Sequence, residues 1–205
     1  MNSDKVRVAV LLSGRGSNLQ ALADYQRACD PAYRIVLVGS NVPDARGLVL
    51  ARRFGLPTWA HSHRGLDRTA FDALVDAELR RHDVELIALA GYMRLLSPGF
   101  VRAWAGRILN IHPSLLPLYK GLDTHRRALL AGDDHAGCSV HLVTEALDDG
   151  PVLAQARVRI LPRDDPDSLA ARVLEAEHGL YPATLDAYCS ELCLPAARQS
   201  GAQHA

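Results

Sequence analysis

Asn110 and His112, with a proline directly after them, stand in RILNIHPSLLP (residues 107 to 117) at the end of an otherwise apolar run. In an extended chain alternate side chains share a face, so Asn110 and His112 point one way and Ile111 the other. A residue before proline is kept out of the helical region, so His112 is expected to stay extended and Pro113 to open a turn. Two hydrogen-bonding side chains presented together at a strand end suit the stabilisation of developing negative charge. The same residue types also serve as structural groups near turns. The pair therefore needs company before it signifies chemistry.

Three other segments offer that company. Ser13 to Asn18 (SGRGSN) has the outline of a phosphate site: glycines allow close backbone approach, and the first N–H groups of a following helix lack partners. It is not the dinucleotide fingerprint, because Leu19 stands where the last glycine belongs, and it lacks the Gly-Lys-Ser/Thr of a P-loop. A tight turn capped by Ser17 or Asn18 would read the same way. Glu145 to Val152 (EALDDGPV) ends another apolar run with carboxylates. One of them could orient His112 and favour its imidazolium form, and spacing does not choose between Asp148 and Asp149. Ala90 to Pro98 (AGYMRLLSP) brings Met93, Arg94, Leu95 and Leu96, which suit a loop around a flat apolar ligand or packing at the start of a helix.

Elements that could position these residues follow from the apolar patterning. Strands are expected over Val6 to Leu12, Arg34 to Gly39, Glu85 to Ala90 and Arg107 to Ile111. Helices are expected over Asn18 to about Cys29, Ala45 to Phe54 and Leu66 to His82. Near-continuous apolar strands alternating with helices indicate an α/β fold whose mostly parallel sheet is covered on both faces. Cys138 to Thr144 and Pro151 to Ile160 are expected to extend the sheet, partly antiparallel, and Asp165-Pro166 to start a helix running to about Tyr181. Ligands on open parallel sheets sit outside the carboxyl ends of the strands, and SGRGSN and NIHP both fall there.

Composition narrows the function. Lys plus Arg and Asp plus Glu both number 23, so no basic field is available for a nucleic acid or an anionic membrane. Cys29, Cys138, Cys189 and Cys193 form no Cys-x-x-Cys pair, which points away from a zinc site or disulfide framework and toward a reduced, cytoplasmic protein. No apolar run approaches a membrane span, and MNSDKVRVAV lacks a signal-peptide core.

GRGSNLQAL, AGYMRLLSPGFV, RILNIHPSLLP, GLDTHRRAL, SVHLVTEALDDGP and AEHGLYP follow in order along the chain. Between Val6 and about Tyr188 the sequence resembles the phosphoribosylglycinamide formyltransferases, folate-dependent enzymes of purine biosynthesis. Asn-x-His-Pro-Ser-Leu-Leu-Pro is specific for folate formyltransferases as a group, and Gly-Ser-Asn-Leu-Gln points to this branch. The resemblance implies a single-domain Rossmann-like formyltransferase fold over residues 1–190, with 191–205 as a flexible tail. It also implies attack by the amine of glycinamide ribonucleotide on the formyl carbon of 10-formyltetrahydrofolate, through a tetrahedral oxyanion and without a metal. Asn110 would donate to the oxyanion, and protonated His112 would stabilise it and help deliver a proton. The family pattern Leu-Asp-x-Gly-Pro selects Asp148 as the partner of His112. Gly16, Ser17 and Asn18 would hold the ribonucleotide phosphate and Glu177 its ribose. Arg68, Met93, Arg94, Leu95, Leu96, Asn110, Thr144, Glu145, Ala146, Leu147 and Asp148 would line the folate pocket, with His125 and His141 behind them. The Leu116–Pro117 bond would be cis.

One departure stands out. Relatives often carry a polar or basic residue where this chain has Leu174, so a phosphate contact is missing, and Arg15 is placed to supply it. Partners are expected to be small molecules, with no nucleic acid or membrane, and the protein to act as a monomer or homodimer. Two relatives share the Asn/His/Asp set. Methionyl-tRNA formyltransferases add a carboxy-terminal domain and a basic surface, and formyltetrahydrofolate deformylases usually an amino-terminal domain. Zero net charge, a chain that ends soon after its last expected helix and a first strand from about residue 6 set the expectation of neither. A non-catalytic nucleotide-binding module with the same fold is a further alternative, which the intact Asn110, His112 and Asp148 oppose.

Overall fold

A computed structural model describes residues 5–193. In chain order its elements are β1 (Val6–Leu12), α1 (Ser17–Cys29), β2 (Tyr33–Ser40), α2 (Arg46–Arg53), β3 (Thr58–Ala60), α3 (Arg68–Arg81), β4 (Leu86–Leu89), α4 (Pro98–Ala103), β5 (Ile108–His112), α5 (Thr124–Ala131), β6 (His135–Leu142), β7 (Val152–Arg159) and α6 (Pro166–Cys193). The strands form one sheet in the order β3-β2-β1-β4-β5-β6-β7. β3 through β5 run parallel, while β6 and β7 are antiparallel additions. This is the expected mostly parallel α/β sheet with an antiparallel extension.

Period-two burial explains why the sheet needs two covers. Val8, Val10 and Leu12 of β1 join one core with Leu19 and Leu22 of α1, Leu48 of α2 and Leu169, Val173 and Tyr181 of α6. Ala9 and Leu11 point the other way, into a core with Phe71, Val75 and Leu79 of α3 and Phe100 of α4. From β1 the chain winds outward to β3 and then returns to β4 on the other side. The carboxyl ends of β1 and β4 therefore flank a topological switch point, where such sheets bind ligands.

Three elements lie outside the expected set: β3, α4 and α5. The last helix also runs well past Tyr181. Pro182 inside it removes one backbone hydrogen bond. Leu169, Val173, Glu177, Tyr181, Leu185 and Cys189 nevertheless form one buried stripe at four-residue spacing, and that burial carries the helix across the proline to Cys193. Residues 191–193, expected in a tail, thus belong to α6, and 194–205 lie outside the described residues. Among the described residues no helix is long and apolar enough to cross a membrane.

Candidate active site

Three loops meet at the carboxyl edge of the sheet, and Ser13 ties them together. Its N–H donates to the Gly91 carbonyl (3.0 Å), its hydroxyl donates to Asn41 (2.6 Å), and the same hydroxyl accepts from Met93 N–H (2.7 Å). The loops after β1, β2 and β4 are thereby fixed relative to one another.

Asn110 and His112 lie one turn of the pleat apart on β5, on the same face as expected. Antiparallel pairing places Asn110 opposite His141 of β6 and His112 opposite Ser139. The Asn110 amide N–H donates to His141 Nε2 (3.1 Å), while His141 Nδ1 lies 2.9 Å from the Leu142 carbonyl. Protonated on Nδ1, the His141 ring donates to that carbonyl and accepts from Asn110. An amide has two N–H bonds, so Asn110 keeps a second donor for a ligand. His112 Nε2 donates to the Tyr119 carbonyl (3.1 Å), and its Nδ1 faces Asp148 Oδ2 at 3.4 Å.

Asp148 approaches from the loop after β6 and lies between the two histidines, with Oδ1 3.6 Å from His141 Nε2. It adopts a left-handed backbone (φ 48°), and Oδ2 accepts the Gly121 N–H at 2.9 Å. The next carboxylate, Asp149, pairs instead with Lys120. Gly150 follows because a Cβ there would fall 1.8 Å from the Leu142 carbonyl oxygen, so only glycine lets the loop fold back onto β6. Burial pushes the Asp148 carboxyl up. The facing His141 ring, the hydrogen bond from Gly121 N–H and the charge on His112 outweigh burial and hold it below the usual carboxylate range. His125, on α5, is pushed down by burial and by the charge on His112, and its Nε2 is buried without a partner.

A second cluster forms between α1 and α6. Gly16 at the start of α1 is left-handed (φ 83°), and a Cβ there would fall 2.7 Å from Gly47 Cα. No side chain caps this helix. Asn18 Nδ2 donates to Glu177 Oε2 (2.7 Å), whereas Asn18 Oδ1 is buried with no partner among the described residues. Burial raises the Glu177 carboxyl, and the Asn18 bond offsets only part of the effect. Ser17 sits beside them at the first position of the helix.

The residues expected around a folate divide. Met93, Leu95 and Leu147 are exposed, and Leu96 packs on the α3–α4 core. Arg94 turns its guanidinium toward α3, donating to the Leu66 and Asp67 carbonyls (3.3 and 3.0 Å) over the Phe71 ring. No helix begins at Met93, so this stretch is a loop. Thr144 donates to the Ala146 carbonyl (3.3 Å), and Glu145 pairs with Arg102 of α4 at 2.9 Å. Arg68 is exposed at the head of α3 and, among the described residues, makes no hydrogen bond or ion pair with the others. Arg15 is exposed and Leu174 half-buried. The Leu116–Pro117 bond is cis. Sequence reasoning did not find the Tyr119 carbonyl, the Gly121 N–H or Lys120, because backbone groups in an irregular loop leave no residue-type signal.

Comparison with known proteins agrees with this geometry. A family profile described as formyl transferase matches residues 6–185. The chain is 46% identical over 178 residues to phosphoribosylglycinamide formyltransferase of Escherichia coli K12, covering 86% of this chain and 84% of that protein. It is 47% identical to the trifunctional purine biosynthetic protein adenosine-3 of Drosophila melanogaster over 188 residues, which are 90% of this chain and 14% of that one. The solved structure of glycinamide ribonucleotide transformylase 1 from Symbiobacterium toebii superposes with a TM-score of 0.89 at 41% identity, covering 93% of this chain and 90% of that one.

Proposed function

The chain belongs to the formyl transferase family, and from that membership we propose that it moves the formyl group of 10-formyltetrahydrofolate to the amine of glycinamide ribonucleotide, a step of purine biosynthesis. The observation that carries this reading is the convergence of Asn110, His112 and Asp148 within one hydrogen-bonded cluster at the switch-point edge of the sheet. 10-Formyltetrahydrofolate supplies the formyl carbon. Asn110 offers its free amide N–H to the oxygen that gains charge when the amine attacks, the role for which a fixed donor in a dry site is strongest. His112 keeps Nε2 occupied by Tyr119 and holds its Nδ1 proton in the long 3.4 Å contact with Asp148. That proton is the one it can present to substrate, and Asp148 stabilises the charged ring while it does so.

Gly16, Ser17 and the α1 amides take the ribonucleotide phosphate, using unpaired N–H groups and the positive end of the helix. Asn18 and Glu177 face its sugar hydroxyls. Met93, Leu95, Leu96, Ala146 and Leu147 give the folate an apolar cleft, with Arg68, Arg94, Thr144 and Glu145 at its polar borders. The reaction needs small molecules alone, and we assign it to a cytoplasmic monomer or homodimer that uses no nucleic acid, membrane or metal.

The test supplies 10-formyltetrahydrofolate with and without glycinamide ribonucleotide and follows folate release. Release only when the ribonucleotide is present is expected. Equal release without it would make the protein a deformylase, and none in either case would make it a binding module. Asn110→Ala should lower kcat by about 10²–10³-fold and His112→Ala by roughly 10²–10⁴-fold, with smaller changes in KM.

A further inference from the structure

The segment that orients His112 and Asp148 has no regular structure of its own. Tyr119 is left-handed at φ 53°, Gly121 at φ 78° and Asp123 at φ 57°, and for tyrosine and aspartate that conformation is held only when the surroundings demand it. Carbonyls in such a segment have no ladder or helix partners, and here side chains provide them. Ser114 Oγ donates to Leu118 O (2.6 Å) and His112 Nε2 to Tyr119 O. Arg127 Nη1 donates to both Lys120 O (2.6 Å) and Leu122 O (3.2 Å). The Arg127 guanidinium also lies over the Tyr119 ring, 5.2 Å from its centre, and the Tyr119 hydroxyl donates to Asp133 at 2.5 Å.

We propose that Arg127, on α5 and outside the Asn110–His112–Asp148 cluster, is a positioning residue that clamps the Tyr119–Leu122 turn in the one conformation that aligns His112 with Asp148. The clamp acts on both partners at once. Tyr119 contributes the carbonyl that fixes His112 Nε2, and two residues later Gly121 contributes the N–H that fixes Asp148 Oδ2. Arg127 grips the carbonyl of the residue between them. The Lys120 carbonyl and the Gly121 N–H belong to one peptide unit, so rotation of that unit would swing the donor of Asp148 away, and the adjoining Tyr119–Lys120 unit, which carries the acceptor of His112, meets it at Lys120 Cα. The other charged or titratable groups around the pair are His125 on α5, His141 on β6 and the Lys120–Asp149 ion pair.

This inference rests on the formyl-transfer reading, and its test includes a readout that does not. Arg127→Ala is compared with Arg126→Ala, which removes the same charge from the adjacent, exposed position of α5. Loss of alignment should cost Arg127→Ala ~10- to 100-fold in kcat while KM for either substrate stays within about twofold. Arg126→Ala should behave as wild type. Nitrogen NMR of the His112 ring, recorded without substrates, should show the Nε2 resonance shifted and broadened in Arg127→Ala, because the carbonyl that accepts its proton has become mobile. Arg127→Lys keeps the charge but not the flat face over Tyr119, and should fall between wild type and Ala; it carries the test should Ala not fold. An Arg127→Ala or Arg127→Lys protein with wild-type kcat and an unchanged His112 Nε2 resonance would overturn the proposal, as would equal losses in Arg126→Ala. A wild-type protein without transferase activity would overturn the functional reading alone, leaving the His112 ring to decide the clamp.

Discussion

Asn18 illustrates how a single side chain can be half satisfied. Its amide nitrogen is bonded to Glu177 while its oxygen is buried and unpartnered, a condition that costs stability until something donates to it. A sugar hydroxyl bound between the two residues would donate to that oxygen or to the carboxylate and repair the deficit. Nearby, Leu174 cannot donate to a phosphate, and Arg15 is exposed on the loop that leads into Gly16. Arg15→Ala should raise KM for the ribonucleotide several-fold, consistent with a charge-assisted bond of roughly 1.5–3 kcal/mol weakened by exposure to water. KM for the folate should not change, and Leu174→Lys in that background should restore most of the loss. Steady-state kinetics with each substrate varied in turn decides it; an unchanged ribonucleotide KM in Arg15→Ala would end the idea.

Elements with strong period patterns were legible in advance and weak ones were not. β1, β2, β4 and β5 carry near-continuous apolar runs, and α1 to α3 carry amphipathic ones, so their types and approximate limits followed from residue spacing. β3 has three residues, none of them fully buried, and α4 has six, too few for a period to declare itself. α5 starts from a left-handed Asp123 without a side-chain cap, so the usual start signal is absent. The candidate site followed the same division: Asn110, His112 and a carboxylate at 148 or 149 were visible as residue types, with the family resemblance choosing Asp148, but the loop that aims them was not. Tyr181 was named only as a helix end and within a motif, yet its hydroxyl, fully buried, reaches the carbonyls of Leu89 and Leu109 at 3.0 and 3.1 Å and pins α6 to β4 and β5. Tyr181→Phe should cost about 1–3 kcal/mol in urea unfolding, with KM for both substrates close to wild type. A variant as stable as wild type would show that the hydroxyl contributes nothing to this joint.

The molecule as a whole balances stability against readiness to bind. Glu177 lies between α1 and α6 with its carboxyl raised from the ordinary 4.5, burial being the main cause. A raised folded value contributes stability that is full below the unfolded pKa and is lost as pH rises through the folded one. At neutral pH, above the unfolded value, Glu177 is therefore a load on the fold. Glu177→Gln removes that load, so denaturant unfolding across a pH series should find the variant more stable than wild type near neutrality, with the gap closing toward acid. The same change should weaken ribonucleotide binding. A variant less stable than wild type at pH 7 would mean that the Asn18–Glu177 bond outweighs the burial of charge.

The sheet stands between the two groups of residues proposed to bind the substrates. Asn18 and Glu177 belong to α1 and α6 on one face, whereas Leu96 packs on the α3–α4 core of the other. They meet only at the carboxyl edge, where Asn110 and His112 emerge. Two ligands arriving from opposite sides of a sheet have no reason to displace each other, and both can be seated before any bond is made. The group in transit then passes directly from donor to acceptor and is never parked on the protein. In kinetic language the reaction is sequential: double-reciprocal plots at several fixed concentrations of the second substrate converge instead of running parallel.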